Sequence, residues 1–242
     1  MGTMIDNRPS QYPGEQKIWD VFRNLLPDEI VVYNGREVLG KEYDFCLLIK
    51  HLGMVIIEIK GWKPDGIRVE SPDRIFTGGD VNPKHSPKKQ ARMYKFCMKN
   101  KLNRDLGFTP LILDMVCYPF IKKDKFYEKG LNIVSEEENT ILYDDLLTSD
   151  ALLDKITKAY DLIKDVPHTY FTEEKMIRVR QNMEPSFIIN TNYNVNLYPY
   201  SKVVITTDEL SNDDIAKIID NYSNGVKYII FTKKKPPSIK LL

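Results

Sequence analysis

The sequence has few of the side chains that build disulfides or zinc sites. Its 242 residues include three cysteines and three histidines. The cysteines lie far apart without a Cys-x-x-Cys pair, and the histidines have no zinc-ligand spacing. A sparse, odd number of cysteines within apolar runs is typical of reduced thiols. The sequence therefore predicts a cytoplasmic protein and argues against a disulfide-stabilised scaffold.

Motifs of several common protein classes are also absent. There is no Gly-x-x-x-x-Gly-Lys-Ser/Thr loop, which argues against ATP hydrolysis by that route. No Gly-x-Gly-x-x-Gly follows a predicted strand, and there is no Gly-x-Ser-x-Gly elbow and no paired-histidine or His-Asn-His metal motif. We expect neither a signal peptide nor a membrane span, since no apolar run approaches the roughly 18 residues that a span needs.

The residues that are present have the balance of a globular protein. Apolar residues make up 42% of the chain, enough for a proper core, and the formal net charge is +1. Because the net charge is so small, any binding of nucleic acid must come from a local basic face. The length of 242 residues suits one large domain, or one domain with a smaller addition.

One stretch combines apolar β-strand sequence with isolated charges. The runs 42–49 and 54–62 are rich in Ile, Leu, Val and Phe, and the link 50–53 between them contains a glycine. Runs this short and this rich in β-branched residues favour strands over a buried helix. The sequence therefore predicts a β-hairpin. After Glu42, which opens the first run, three charged residues interrupt the hairpin's apolar pattern: Asp44, Glu58 and Lys60.

These charges share one face of the hairpin if its link has an odd number of residues. Side chains alternate between the faces of a strand, so Glu58 and Lys60 point the same way. An odd link centred near His51 pairs Asp44 with Glu58 on that face, whereas an even link puts Asp44 on the other face. Two carboxylates and an ammonium among apolar neighbours cost free energy unless they have a use.

A bound cation would give these charges a use. Asp44 and Glu58, together with the backbone carbonyl of Ile59, suit a hard, oxygen-binding cation such as Mg²⁺. Beside that cation, Lys60 would orient or help deprotonate a water molecule, or hold a phosphate group. We find no other coherent set of catalytic residue types in the sequence.

The same residues resemble a known family. The chain is similar to the NERD (nuclease-related) domain of the PD-(D/E)XK nuclease superfamily in Tyr43-Asp44 and in the later run Gly53-Met54-Val55-Ile56-Ile57-Glu58-Ile59-Lys60-Gly61-Trp62. The resemblance covers residues 13–134. It implies an α/β fold with a restriction-endonuclease-like core, in which helices flank a mixed central sheet. It also implies a nuclease that uses Mg²⁺ or Mn²⁺, cleaves DNA and leaves 5′-phosphate ends.

The resemblance extends to two supporting residues. The family has a Gly-Glu at the start of the first helix, where Gly14-Glu15 matches, and this implies that Glu15 adds a carboxylate to the catalytic site. The alternative is that Glu15 only favours the helix dipole. The family also has a Pro-x-x-Gln, which Pro87 and Gln90 match, although its usual Asn before the proline is Ser86 here. Gln90 would orient a water molecule or a catalytic carboxylate.

A basic helix is predicted to begin at Pro87 and to reach Leu102. Its apolar residues recur at helical spacing. The run of positive charge is either a solvated helix face or a surface that contacts nucleic-acid phosphates. The predicted nucleic-acid-binding residues are Lys84, Lys88, Lys89, Arg92 and Lys95.

Three further local predictions concern the fold. Asn34-Gly35 is a turn signal between two strands. Asp114 interrupts a buried strand over 111–118, and we interpret it as a strand-end hydrogen-bonding residue rather than a metal ligand. The run Asn132-Ile133-Val134 reads as a last short strand.

The chain divides by composition into four parts. Residues 1–12 are predicted to be a flexible N-terminus, 13–168 the nuclease-like domain, 169–232 an accessory α/β module and 233–242 a linker-like tail. The accessory module reads as a small β-α-β appendage, with its helix over 211–221 after a capping box. The linker-like end suggests a piece of a longer chain, and the resemblance implies a helicase or ATPase domain as partner in cis or in trans.

Two hypotheses on function follow. The first is a metal-dependent deoxyribonuclease that serves as the nuclease module of a DNA-processing or defence protein. The alternative is a catalytically inactive nuclease-fold domain that binds nucleic acid or docks partners. Nothing in the sequence separates RNA from DNA as the substrate. The sequence is compatible with an oligomer.

Overall fold

The chain folds into two compact units. The structure is a computed structural model that describes residues 2–5, 10–163 and 171–184 in full and residues 186–190, 202–206 and 229–232 as backbone. The first unit contains Met1–Lys101 and Pro110–Thr172, and the second contains Leu102–Thr109 and Glu173–Leu242.

The first unit carries the hairpin and most of the secondary structure. Its elements in chain order are β1 (Thr3–Met4), α1 (Pro13–Leu25), β2 (Val31–Val38), β3 (Lys41–Ile49), β4 (Gly53–Ile59), β5 (Arg68–Ser71), β6 (Arg74–Phe76), α2 (Pro87–Leu106, whose last residues belong to the second unit), β7 (Ile112–Tyr118), α3 (Lys123–Glu128), β8 (Thr140–Leu142) and α4 (Ser149–Asp161). Short 3₁₀ turns lie at Pro64–Gly66, Leu131–Ile133, Glu137–Asn139 and Tyr143–Leu146.

A mixed six-stranded sheet is the centre of this unit. Its strand order is β1-β2-β3-β4-β7-β8. Strands β2, β3 and β4 pair antiparallel, whereas β4, β7 and β8 run parallel. The three parallel strands therefore end at the same edge of the sheet, and the loops that follow them meet there. Although residues 1–12 were predicted to be flexible, β1 pairs in parallel with β2.

Helices α1 and α4 cover one face of the sheet. Phe45 and Leu47 of β3 are buried in the main core with Phe22 of α1 and Ile156 of α4. The rings of Phe22 and Phe45 meet edge to face, with centroids 5.3 Å apart. Odd-numbered residues of β3, β4 and β7 supply this core, as the alternation of side chains along a strand requires.

The opposite face of the sheet is covered by other elements. Val116 and Tyr118 of β7 pack in a second cluster with Phe126 of α3. On the same face, Lys95 of α2 bonds the carboxylate of Asp114 at 2.6 Å. Helices thus flank both faces of a mixed sheet, which confirms the predicted α/β class and its nuclease-like arrangement.

The register of the hairpin confirms the odd link. Ile49 pairs with Gly53, so three residues join β3 to β4, and the middle one, His51, has a φ of 69°. The amide of His51 donates to the carbonyl of Phe171 at 3.2 Å. Because Phe45 pairs with Ile57, the next position of the same register sets Asp44 opposite Glu58.

The predicted turn at Asn34-Gly35 is wrong. Both residues lie inside β2, where Asn34 pairs with Phe45. The turn that joins β2 to β3 is Leu39-Gly40, with φ values of 49° and 76°. Continued pairing with β3 outweighs the local turn preference of the Asn-Gly pair.

Two predictions beyond β6 are also corrected. Residues 131–133 form a 3₁₀ turn rather than a strand, because Leu131 and Val134 are buried while Ile133 is 50% exposed. Burial three residues apart suits a helical turn and not the alternation of a strand. Asp114 lies in the middle of β7 and not at its end, and it is held there by ion pairs with Lys95 and Arg92.

The second unit contains a helix and a small parallel sheet. Helix α5 spans Glu173–Met183, a charged stretch for which no helix was predicted. Three parallel strands, β9 (Ser186–Asn190), β10 (Lys202–Thr206) and β11 (Ile229–Thr232), follow in the sheet order β11-β10-β9. Strands β10 and β11, which correspond to the two strands of the predicted β-α-β unit, pair in parallel. The helix predicted over 211–221 lies outside the described residues.

No helix among the fully described residues is both long enough and apolar enough to cross a lipid bilayer.

A buried hydroxyl that ties α4 to β4 allows a test of the fold. The Tyr160 hydroxyl donates to the carbonyl of Met54 at 2.8 Å, and Tyr160 is 1% exposed. Tyr160→Phe leaves that buried carbonyl without this donor, so we expect a loss of about 1–3 kcal/mol in the free energy of unfolding, measured by urea denaturation. Tyr12→Phe, at a residue 59% exposed, is the control. Equal stability of the two variants would contradict the packing described here.

Candidate active site

Asp44 and Glu58 lie together at the edge of the sheet where β4 ends. One carboxylate oxygen of Asp44 accepts a hydrogen bond from the amide of Ile59 at 2.6 Å. This bond fixes the Asp44 side chain beside the last residues of β4. Gly35, with a φ of 57°, occupies the register position opposite Asp44 on β2, where a larger residue would be strained.

Burial raises the free-energy cost of ionising both carboxylates. Burial raises the pKa of Asp44 to about 8, and the charge of Glu58 adds to this, while the Ile59 amide opposes it. Burial also raises the pKa of Glu58, against the opposing charge of Lys60. Two acids with raised pKa values at one end of a sheet are typical of functional sites.

Lys60 and Glu58 form a close ion pair. The ammonium of Lys60 lies 2.5 Å from one carboxylate oxygen of Glu58, and the two side chains are 19% and 3% exposed. The other Glu58 oxygen is buried without a hydrogen-bond partner among the described residues. A buried carboxylate oxygen without a partner costs free energy, so this oxygen is available to a ligand or to a proton shared with the neighbouring Asp44.

A contact between two glycines brings helix α1 to this site. A Cβ atom on Gly14 would lie 2.7 Å from the Cα of Gly61, so only glycine permits this approach. The contact places Glu15, the next residue, close enough that its charge adds to the raised pKa values of Asp44 and Glu58. A Ser10 hydroxyl donates to Glu15 at 2.6 Å. Glu15 therefore lies beside the predicted site and not only at a helix end.

Helix α2 faces the carboxylates through Tyr94. This residue is 8% exposed, and burial together with the charges of Glu58 and Asp44 raises the pKa of its phenol to about 12. Gln90 lies one helical turn before Tyr94 and on the same side of the helix. Gln90 is half-buried, and its supporting role stays a prediction.

The helical spacing of the apolar residues in α2 predicts only a packing role for Tyr94. Its nearness to the acids follows from the position of α2 over β4 and β7, which no local pattern specifies. The one available signal was its spacing from Gln90, since residues four apart share a helix face.

The five cations predicted to bind nucleic acid each hold a carboxylate. Lys84 bonds Asp80, Lys88 bonds Glu136, and Lys89 bonds Asp73. Arg92 and Lys95 both bond Asp114. These pairs offset much of the positive charge that the sequence displays along α2. A contact between these cations and phosphates stays a prediction, and it would have to compete with the ion pairs.

The donor set suits a divalent cation with few protein ligands. No group of three or more His, Cys, Asp and Glu side chains that could hold a metal occurs in the part of the chain that the structure describes. Asp44 and Glu58 nevertheless offer carboxylate oxygens, one of them buried and unbonded. Mg²⁺ commonly binds through one or two carboxylates and keeps several water molecules, so this pair fits it. The carbonyl of Ile59 stays the predicted third ligand.

Part of the chain matches the model of a known protein family. The family model described as NERD, nuclease-related domain, matches residues 10–119. This segment is a nuclease-related domain. No curated protein and no solved structure matched the chain.

The segment that the family model matches contains all of the residues predicted to be catalytic. It runs from before α1 to the end of β7, and thus includes both glycines of the close contact, the hairpin and α2. Strand β8 and helix α4, which complete the sheet and its cover, lie beyond it.

The raised pKa of Asp44 predicts how stability depends on pH in the absence of metal. The folded protein holds the Asp44 proton more tightly than the unfolded chain, because its pKa is about 8 rather than the ordinary 3.8. This contribution to stability is complete at low pH and is lost as the pH rises from about 4 to about 8. Asp44→Asn removes it, so the melting temperature in EDTA should fall less steeply with pH than in the wild type.

The matched control is Asp154→Asn, which removes an exposed carboxylate of α4 that pairs with Lys158. We expect this variant to follow the wild-type profile of melting temperature against pH. A profile for Asp44→Asn that runs parallel to the wild type across this range would contradict the electrostatic account.

Proposed function

We propose that the nuclease-related domain is a metal-dependent nuclease that hydrolyses phosphodiester bonds of DNA. The observation that carries this proposal is the buried, unbonded oxygen of Glu58 beside Asp44 and Lys60. The family of residues 10–119 supports a nuclease-related role.

Asp44 and Glu58 would hold Mg²⁺ or Mn²⁺, with the carbonyl of Ile59 as a further ligand. When bound, such an ion polarises a phosphate and lowers the pKa of a coordinated water molecule. Ionisation of the two acids is then favoured, which offsets the cost of their burial. The amide of Ile59 keeps Asp44 turned toward the site throughout.

The remaining residues act on the substrate and on the carboxylates. Lys60 is held by Glu58 at the site, where its ammonium orients the attacking water molecule or stabilises the negative charge that develops on the phosphate. Glu15 adds negative charge at the same place. Gln90, on the helix face that carries Tyr94, would orient a water molecule or a carboxylate.

The wider biological setting is part of the proposal. DNA is the expected substrate, and RNA is the competing one. A helicase or ATPase domain, in cis or in trans, would supply unwound nucleic acid to such a module. We propose this arrangement within a DNA-processing or defence protein.

Cleavage of circular DNA tests the function. Circular single- and double-stranded DNA are incubated with the protein in Mg²⁺, in Mn²⁺ and in EDTA. We expect metal-dependent cutting of the circles, with a loss of at least about 100-fold in Lys60→Ala and Asp44→Ala, because each change removes charge stabilisation of the transition state. Both variants should stay folded, as measured by circular dichroism.

The control is Lys158→Ala, which removes an exposed lysine of α4 and should cut at the wild-type rate. Cutting at the wild-type rate by either Lys60→Ala or Asp44→Ala would refute the site assignment. If the wild type cuts in neither metal, the alternative of an inactive domain that binds nucleic acid or docks partners is favoured.

A further inference from the structure

A second group of residues lies beyond the ends of the parallel strands, next to the proposed catalytic site. Strand β7 is followed by Phe120 and Lys122, and β8 is followed by Tyr143. The amide of Tyr143 donates to the carbonyl of Ile121 at 2.9 Å, which joins the two loops. Lys17 of α1 reaches the same place and donates to the carbonyl of Pro119 at 2.6 Å.

This group adjoins the catalytic edge directly. A Cβ atom on Gly61, the residue after Lys60, would lie 3.8 Å from the ring of Phe120. The amide of Lys60 itself donates to the carbonyl of Cys117 in β7 at 2.9 Å. Two strand spacings, about 10 Å, separate β4 from β8. A nucleic-acid strand whose phosphate lies at Lys60 therefore reaches this group with its neighbouring nucleotides.

The four side chains interleave cations with aromatic rings, and we call them the cation–aromatic patch: Lys17, Phe120, Lys122 and Tyr143. The ammonium of Lys17 lies 4.9 Å from the ring centroid of Phe120 and 4.4 Å from that of Tyr143. The ammonium of Lys122 lies 5.7 Å from the Tyr143 centroid. Both rings are half-buried, so each keeps exposed surface. Lys17 also lines an open groove between α1 and Leu146–Leu147, so ligands have access to it.

The lysines of this patch lack the ion pairs with carboxylates that the cations of α2 form. Neither Lys17 nor Lys122 forms an ion pair with any described residue. The adjacent cations differ, since Lys123 pairs with Glu137 and Lys125 with Glu128. Lys17 and Lys122 thus carry charge that no described carboxylate pairs with, while the Asp144 carboxylate lies nearby and accepts from the amide of Lys123 at 3.1 Å.

We propose that the cation–aromatic patch binds the substrate as a single-stranded nucleic acid. Positive charge that follows the backbone, combined with rings on which bases stack, is the usual means of holding a single strand without reading its sequence. Bases stacked inside a duplex do not offer their faces to such rings, so the patch selects unpaired nucleotides. This inference rests on the proposed function for its location, but its test is independent of cleavage.

Binding in EDTA tests the patch without any turnover. The fluorescence anisotropy of a labelled oligothymidylate, a duplex of the same length and an abasic oligonucleotide of the same length is measured with the full chain. We expect the wild type to bind oligothymidylate at least about fivefold more tightly than either of the others, because stacking on the rings requires unpaired bases.

Variants separate the ring from the charge. Tyr143→Ala should weaken oligothymidylate binding at least about fivefold, whereas Tyr143→Phe keeps the ring and should bind like the wild type. Lys122→Ala should reduce the slope of log K against log salt by about 0.7, the value for one phosphate contact on a single strand, and Lys122→Arg should restore it. Lys158→Ala, which removes an exposed lysine of α4, is the charge-matched control. Lys89→Ala tests the competing prediction that the cations of α2 bind the strand.

The outcomes are decisive for the patch and distinct from those of the cleavage test. Equal binding of single strand and duplex, wild-type binding by Tyr143→Ala, or loss of binding only in Lys89→Ala would overturn the proposal. So would the absence of any binding by the wild type. If binding depends on the patch but the protein cuts no DNA, the binding proposal stands and the nuclease proposal fails. If the protein cuts DNA but the patch variants bind like the wild type, the nuclease proposal stands and the binding proposal fails.

Discussion

The hydrogen bond from the amide of Ile59 to Asp44 is the interaction on which the candidate site depends. It holds the Asp44 carboxylate at the end of β4, beside the buried Glu58. Ionisation of either side chain costs free energy there because both are buried. A fold that keeps two acids in this position, with an ammonium against one of them, retains a local strain that a divalent cation would relieve.

Several elements of the first unit converge on the edge of the sheet where β4 ends. The contact between Gly14 and Gly61 seats the first turn of α1 against the end of β4, and α2 covers the acids through Tyr94. The parallel run of β4, β7 and β8 gathers three loops at the same place. Such an edge, outside the carboxyl ends of parallel strands, is where α/β proteins commonly bind ligands, and it joins the carboxylates to the cation–aromatic patch.

The sequence specified the site better than its surroundings. The alternation of strand side chains predicts that Glu58 and Lys60 share a face. It adds Asp44 to that face only if the link is odd, and the folded hairpin shows that it is. The local Asn-Gly signal at 34–35 failed because pairing between β2 and β3 overrode it. The ion pairs of α2, such as that of Lys89 with Asp73, and the patch at the strand ends join residues distant in the sequence. Periodic patterns in the sequence report only on local structure, so these long-range contacts could not be predicted without the folded structure.

Binding of Mn²⁺ in the absence of DNA tests the central claim most directly. The electron paramagnetic resonance signal of free Mn²⁺ is followed during titration of the wild type and of Glu58→Gln at about pH 8, where a bound cation competes with the Asp44 proton. The account predicts saturable binding by the wild type, weakened at least about 10-fold in Glu58→Gln. Equal binding by the two proteins, or none by a folded wild type, would contradict it.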